Sequence, residues 1–252
     1  MPPSCLIVMP VYNEAECIAE VCEEWLEVAA RHPNFRMLVV DDGSSDDTGR
    51  ILRRISERNT ALTVISQQNS GHGNAVRRAY FAAIQSGAKW VFQTDGNGKF
   101  IPAEFESLWN CRTISSFILG HRVRRRDHSL RIFLSHVQRI LLLVLFGVSV
   151  KDPNVPYRLM RGSFLAELLP SIPSEASAPN VLLSLLARKA GEDLLHVPVI
   201  HRARTTATVS INGTKILKIG LQWIAELVRF RFNGFAAFSR RARQRDSMAD
   251  LV

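Results

Sequence analysis

The sequence predicts an α/β fold, a mainly parallel central sheet flanked by helices, and three observations carry that expectation. Short β-branched or leucine-rich runs alternate with stretches of helical period, the pattern of successive βα units. Acidic or polar clusters follow those runs directly, at the carboxyl ends of strands where open parallel sheets bind ligands. The 252 residues are 46% hydrophobic and 22% charged, enough apolar side chain for a large core and too much for a disordered chain.

The elements read in order. Cys5 to Met9 is a buried strand, and Ile18, Val21, Cys22, Trp25 and Ala29 share one face of the helix after it. Met37 to Val40 is the second strand. Ser44 with Asp47 three residues on has the spacing of a capping box before Ile51, Leu52 and Ile55, so a second helix starts there. Leu62 to Ile65 is a third strand, 74 to 86 a helix and Lys89 to Gln93 a fourth strand. Further on, Ile118 to Gly120 reads as a short strand, Ser129 to Phe146 and Val181 to Lys189 as helices, and Leu194 to Ile200 as a strand. Lys215, Lys218, Gln222, Glu226 and Arg229 form one polar stripe with Leu217, Leu221, Ile224 and Val228 behind it, an amphipathic helix. The expected organisation is one domain over 1–210, an amphipathic helix suited to a membrane surface over 211–238, and a basic, disordered tail over 239–252.

Charge narrows the partners. The chain carries a net +9, but residues 120–161 (nine Lys/Arg, two Asp) and 201–252 (ten Lys/Arg, three Asp/Glu) each hold +7, which leaves −5 for the rest. An acidic body suits a cation or nucleotide, and two basic segments suit an anionic face. The longest apolar run, Ile140 to Val150, is about half of the ~20 residues a bilayer-spanning helix needs. With no basic, apolar leader after Met1, a cytosolic protein is expected. Cys5, Cys17, Cys22 and Cys111 form no CxxC pair and read as reduced thiols. Val76 stands where a dinucleotide fingerprint needs its third glycine, and no GK[ST] occurs, so dinucleotide and P-loop sites are excluded.

Three clusters fall at strand ends: Pro10-Val11-Tyr12-Asn13-Glu14, Asp41-Asp42-Gly43 and Asp95-Gly96-Asn97. Carboxylates converging on one mouth repel unless they meet a divalent cation or the donor groups of a sugar or base. Gly71-His72-Gly73 adds a loop that backbone can bring close to a ligand, leading into a helix N-terminus that favours an anion. Singly, each cluster also fits an ordinary turn or cap.

Together and in order, Met9 to Glu14, Val39 to Thr48, Asn69 to Ala75 and Thr94 to Asn97 resemble the family-2 glycosyltransferases, and within them the polyprenyl-phosphate group, the dolichyl-phosphate mannosyltransferase-like and undecaprenyl-phosphate glycosyltransferase-like enzymes. The resemblance is dense from Cys5 to about Gly120 and recurs from Arg122 to Arg161. It implies a GT-A fold with a Rossmann-like sheet, an inverting transfer, a UDP- or GDP-linked sugar donor, and Mg²⁺ or Mn²⁺ at a D-x-D motif. Pro10, Tyr12 and Glu14 match the segment that holds the nucleoside, and Asp41 and Asp42 the pair beside base and ribose. Gly71, His72 and Asn74 fall in the donor loop, and Asp95 is the first metal-motif aspartate. Asn97 stands where the second is usual, an oxygen ligand without charge.

The same resemblance places Arg122, Arg131 and Ser135 near the phosphate of a lipid acceptor. It makes Asp152 the base that a hydroxyl acceptor would need and Arg158 a diphosphate or acceptor-phosphate clamp, with Pro156 replacing the usual glycine. A lipid phosphate, ionised at neutral pH, needs no base. The expected enzyme therefore sits peripherally on the cytosolic face of a membrane and binds no nucleic acid. A transferase with a saccharide or small-molecule hydroxyl acceptor and a non-catalytic nucleotide-sugar-binding homologue are the rival readings.

Overall fold

The computed structural model describes residues 1–123, 129–202, 213–235 and 238; for 129–131, 213–217 and 219 it describes the backbone alone. The tri-arginine Arg124 to Arg126 and the basic tail therefore lie outside the described residues.

Seven strands form one sheet in the order β3-β2-β1-β4-β6-β5-β7. They are β1 (Cys5–Val11), β2 (Phe35–Asp41), β3 (Leu62–Ser66), β4 (Trp90–Thr94), β5 (Phe117–Arg122), β6 (Tyr157–Arg161) and β7 (Leu195–Val199). All pairings are parallel except those of β6, which runs antiparallel to both β4 and β5. Every residue of β1 is buried, as a central parallel strand covered on both faces requires. The helices are α1 (Ile18–Ala30), α2 (Thr48–Arg58), α3 (His72–Gln85), α4 (Phe105–Asn110), α5 (Ser129–Phe146), α6 (Gly162–Leu168), α7 (Pro179–Lys189) and α8 (Gly213–Arg229). Cys5, Cys17 and Cys22 are buried and take part in no disulfide, and burial pushes the Cys22 thiol up to about 12.

Each element read from the sequence is present within a few residues of its expected bounds, and α5 matches them fully. The short α4 and α6 and strand β6 were not foreseen. The capping box is not formed. Ser44 turns back to Asp41, its hydroxyl donating to Oδ1 at 2.6 Å, while Asp46 Oδ1 accepts from the Thr48 amide at the start of α2. In α8, Leu227 is buried and Gly220 packs on Leu134 of α5, while Leu221 and Val228 are exposed. Among the described residues no helix is long and apolar enough to cross a membrane.

Three adjacent parallel strands, β2, β1 and β4, carry the acidic clusters at their carboxyl ends, so topology alone brings Tyr12, Asp42 and Asp95 to one edge of the sheet.

Candidate active site

The loops at this edge are tied together by side chains that the sequence places at turns. After β1 the chain turns at Asn13, with φ +52°. There the Asn13 amide donates to Ser44 Oγ at 2.9 Å, the Glu14 amide to Thr48 Oγ1 at 2.8 Å and the Ala15 amide to Asp46 Oδ2 at 3.1 Å. The segment from Tyr12 to Glu14 is thereby fixed to the turn after β2, with Pro10 buried behind it and Tyr12 47% exposed. Gly43, at φ +71°, lets that turn pass so near the Asn69 backbone that a Cβ would stand 2.6 Å from its nitrogen.

Asp41 and Asp42 are both buried, and their carboxylates are engaged within the protein. Asp41 Oδ1 takes Ser44. Asp42 Oδ1 accepts from Gln67 Nε2 at 2.6 Å and the Ser70 amide at 2.9 Å, and Oδ2 from the Gly71 amide at 2.9 Å. Asp42 thus shapes the loop that leads into α3. In that loop the two glycines divide the work: Gly71, at φ +91°, opens onto free space, whereas a Cβ on Gly73 would strike the Ala176 carbonyl.

Beyond these loops lies a cavity of about 630 Å³, lined in part by Gly71, His72 and Asn74, by Asp95, Asn97 and Lys99, and by Arg122 and Ser135. Residues separated by more than sixty positions in sequence therefore share one cavity, while Pro10, Tyr12, Glu14, Asp41 and Asp42 are not among its lining. Behind Asp95 stands a network the sequence reading missed. Gln93 Nε2 reaches Asp95 Oδ1 at 3.3 Å, and Gln93 Oε1 accepts from Asn180 Nδ2 at 3.0 Å, while the Tyr80 hydroxyl donates to Asn180 Oδ1 at 2.7 Å. Period 2 of a strand puts Gln93 and Asp95 on the same side, and a glutamine inside an apolar strand was the available signal. Burial pushes the Asp95 carboxyl above the usual range; the charges of His72, Arg122, Lys99 and Arg158 pull it back.

Two expected roles change with the geometry. Asp152, read as a base, does not line the cavity; it meets Arg122 in a bidentate pair, Nε to Oδ2 at 2.7 Å and Nη2 to Oδ1 at 2.8 Å, with the side chains 7% and 10% exposed. Arg158, read as a phosphate clamp, is fully buried in β6. It donates to the carbonyls of Val155, Pro153 and Asn180 at 2.8–3.0 Å, so it holds the 153–155 loop and α7 instead. Replacing Arg158 with alanine should cost about 3–5 kcal/mol of stability in a denaturant titration, because buried carbonyls lose their donors. Arg131 belongs to α5, with its side chain outside the described residues.

The site has an oxygen-donor pair for a cation in Asp95 and Asn97, hard ligands of the kind Mg²⁺ and Mn²⁺ take. Asn97 Oδ1 accepts from the Lys99 amide at 3.2 Å, and among the described residues no group of three His, Cys, Asp or Glu gathers. Asp95 and Asn97 are thus the residues of this cavity that would hold such an ion.

Residues 6–136 match the family model described as glycosyl transferase family 2. The chain belongs to that family. This glycosyltransferase is 24% identical over 221 residues to the polyprenol monophosphomannose synthase of Mycolicibacterium smegmatis, covering 84% of this chain and 82% of that one. It is 27% identical over 194 residues to the undecaprenyl-phosphate 4-deoxy-4-formamido-L-arabinose transferase of Pseudomonas savastanoi, covering 75% of this chain and 56% of that longer protein. Its fold is that of the glucosyl-3-phosphoglycerate synthase of Mycobacterium tuberculosis, crystallised with Mn²⁺, UDP and glucosyl-3-phosphoglycerate: TM-score 0.67 at 19% identity, over 91% of this chain and 80% of that one. The GT-A architecture expected from the motifs is thereby established.

Proposed function

We propose that this glycosyltransferase moves a sugar, with inversion, from a nucleoside-diphosphate sugar to a lipid phosphate at a membrane surface. The observation that carries the acceptor is the state of the carboxylates. Of the described residues lining the cavity, only Asp95 and Glu175 are acidic. Glu175 sits at the exposed rim, its carboxyl held low by hydrogen bonds from its own backbone amide and the Ser174 hydroxyl, which makes it a weak base. Asp152 is committed to Arg122. A cavity with no carboxylate poised as a base suits an acceptor that arrives ionised, and the names of the mycobacterial and Pseudomonas relatives point to the same acceptor class.

In this reading Tyr12, Glu14 and the loop shaped by Asp42 hold the nucleoside, and His72, at the start of α3, faces the diphosphate. Asp95 and Asn97 would hold Mg²⁺ or Mn²⁺, which when bound neutralises the leaving diphosphate. Arg122, aimed by Asp152, and Ser135 hold the acceptor phosphate in line with the anomeric carbon, and Lys99 adds positive charge to the same cavity. Catalysis is then positioning and charge neutralisation in a water-poor site.

The surface supports a peripheral placement. On α5, Phe133 is 61% and Val144 72% exposed, with Ile140 and Leu143 also open, and Leu221 and Phe232 are exposed along α8 and the turn after it. With those of α5 lying within the basic segment 120–161, these side chains suit an anionic bilayer. Val144→Glu combined with Phe133→Glu should weaken sedimentation with phosphatidylglycerol vesicles at least about tenfold, without changing nucleotide affinity.

The deciding assay offers UDP- and GDP-sugars with farnesyl phosphate, a free sugar or 3-phosphoglycerate as acceptor. Transfer to farnesyl phosphate is expected; transfer only to a hydroxyl would replace this reading with the hydroxyl-acceptor one. Asn97→Asp should tighten Mn²⁺ about tenfold in a paramagnetic-resonance titration, through the added charge. Unchanged affinity would remove Asn97 from the ligand set.

A further inference from the structure

Gln138 lies on α5, one turn beyond Ser135 on the same helix face. Its side chain is 5% exposed, yet among the described residues its Nε2 has no hydrogen-bond partner. An amide buried in this way is costly, and apolar residues of equal size are available, so its retention calls for a partner that is present only when the site is filled. Its position says which partner. Gln138 lines the polar cavity that holds Arg122 and Ser135, and it also lines the apolar seam between α5 and α8 formed by Leu141, Trp223 and Leu227. It stands where polar surface gives way to hydrocarbon-like surface.

We infer that Gln138 is a binding residue for the acceptor phosphate: its amide N–H donates to an oxygen of a phosphate monoester, and the first carbons of the ester's chain lie against Leu134 and Trp223, which line the same cavity. The inference rests on the lipid-phosphate reading and adds to it a further hydrogen-bond donor for the acceptor phosphate. A hydrogen bond to a phosphate is charge-assisted and its loss is felt in acceptor binding, not in donor binding.

The test uses the full chain with farnesyl phosphate as acceptor, inorganic phosphate as competitor and the active nucleotide sugar as donor. Gln138→Leu and Gln138→Met, close in volume to glutamine, should each raise KM for farnesyl phosphate about tenfold or more. The expected kcat changes by less than about twofold, nucleotide affinity by calorimetry is unchanged, and the ligand-free Tm rises because the orphan amide is gone. Inhibition by inorganic phosphate should weaken as well, since the amide's partner is a phosphate oxygen that both ligands carry. A raised Tm with KM unchanged would overturn the inference and leave the lipid-phosphate reading standing. Absence of transfer from the wild-type protein to farnesyl phosphate would overturn both. Should the apolar variants fail to fold, Gln138→Glu serves: it should raise KM more at high pH than at low pH as its carboxylate ionises beside the phosphate, and a KM equal to wild type at both would overturn the assignment.

Discussion

Asp95→Asn is expected to lower sugar transfer by about 10²–10³-fold while raising the melting temperature at neutral pH. The two effects share a cause. Of the two acidic side chains among the described residues lining the cavity, Glu175 is exposed at the rim and Asp95 is the one beside Asn97, and in the proposed reaction the leaving diphosphate depends on the neutralisation it organises. It is also held in a place that burial makes unfavourable for charge, which pushes its carboxyl up. A carboxyl raised in the folded state favours folding below its unfolded pKa and loses that contribution as pH rises through the folded value. At neutral pH the ionised group therefore costs stability, and the neutral amide removes the cost. The wild-type enzyme should in turn lose activity as pH falls through the elevated value, since protonation abolishes the ligand. Thermal melts and initial rates across pH for both proteins check this; a variant that is inactive and also less stable would show that Asp95 is a structural residue.

Asp152→Ala is expected to cost about 3–5 kcal/mol of stability, the consequence of leaving Arg122 buried without its counter-charge. Asp152→Asn should cost less, because the amide oxygen can still accept from the guanidinium. Its kinetic effect separates the two roles that Asp152 could have. As the residue that aims Arg122, it should raise KM for the acceptor with the pH profile of kcat unchanged; as a general base it would lower kcat and remove the basic-side pH dependence. The pair Asp152→Leu with Arg122→Met should recover most of the stability and none of the acceptor affinity, since a buried ion pair replaced by apolar residues is often neutral in stability.

The sequence and the structure part at identifiable places. β1, β2 and β4 were legible because strands buried on both faces are written as apolar runs, and α5 because its period is sustained over eighteen residues. β6 was not, since Tyr157-Arg158-Leu159-Met160-Arg161 puts a guanidinium in the middle of the sheet, a residue that only its later carbonyl partners make tolerable there. Ser44 had the spacing of a helix cap but found a nearer carboxylate in Asp41. In the site, the charged members were readable from their order along the chain. The amides were not: Gln93, Asn180 and Gln138 carry no charge and belong to no motif, and only packing shows that one pair supports Asp95 and that the third faces the cavity alone. Arg158 and Asp152 were correctly singled out as unusual, but charge cannot tell a residue that grips a ligand from one that grips its own backbone.

The central claim is that the cavity above Asp95 grips a nucleoside diphosphate through a divalent cation. Its most direct test is the melting temperature of the wild-type protein and of Asp95→Asn with UDP, GDP and their sugars, each with and without Mn²⁺. Near 100 times the dissociation constant, one nucleotide series should raise the wild-type value by about 5–10 °C when Mn²⁺ is present, and leave Asp95→Asn almost unmoved. No shift of the wild-type protein by any nucleotide, with metal or without, would contradict the account.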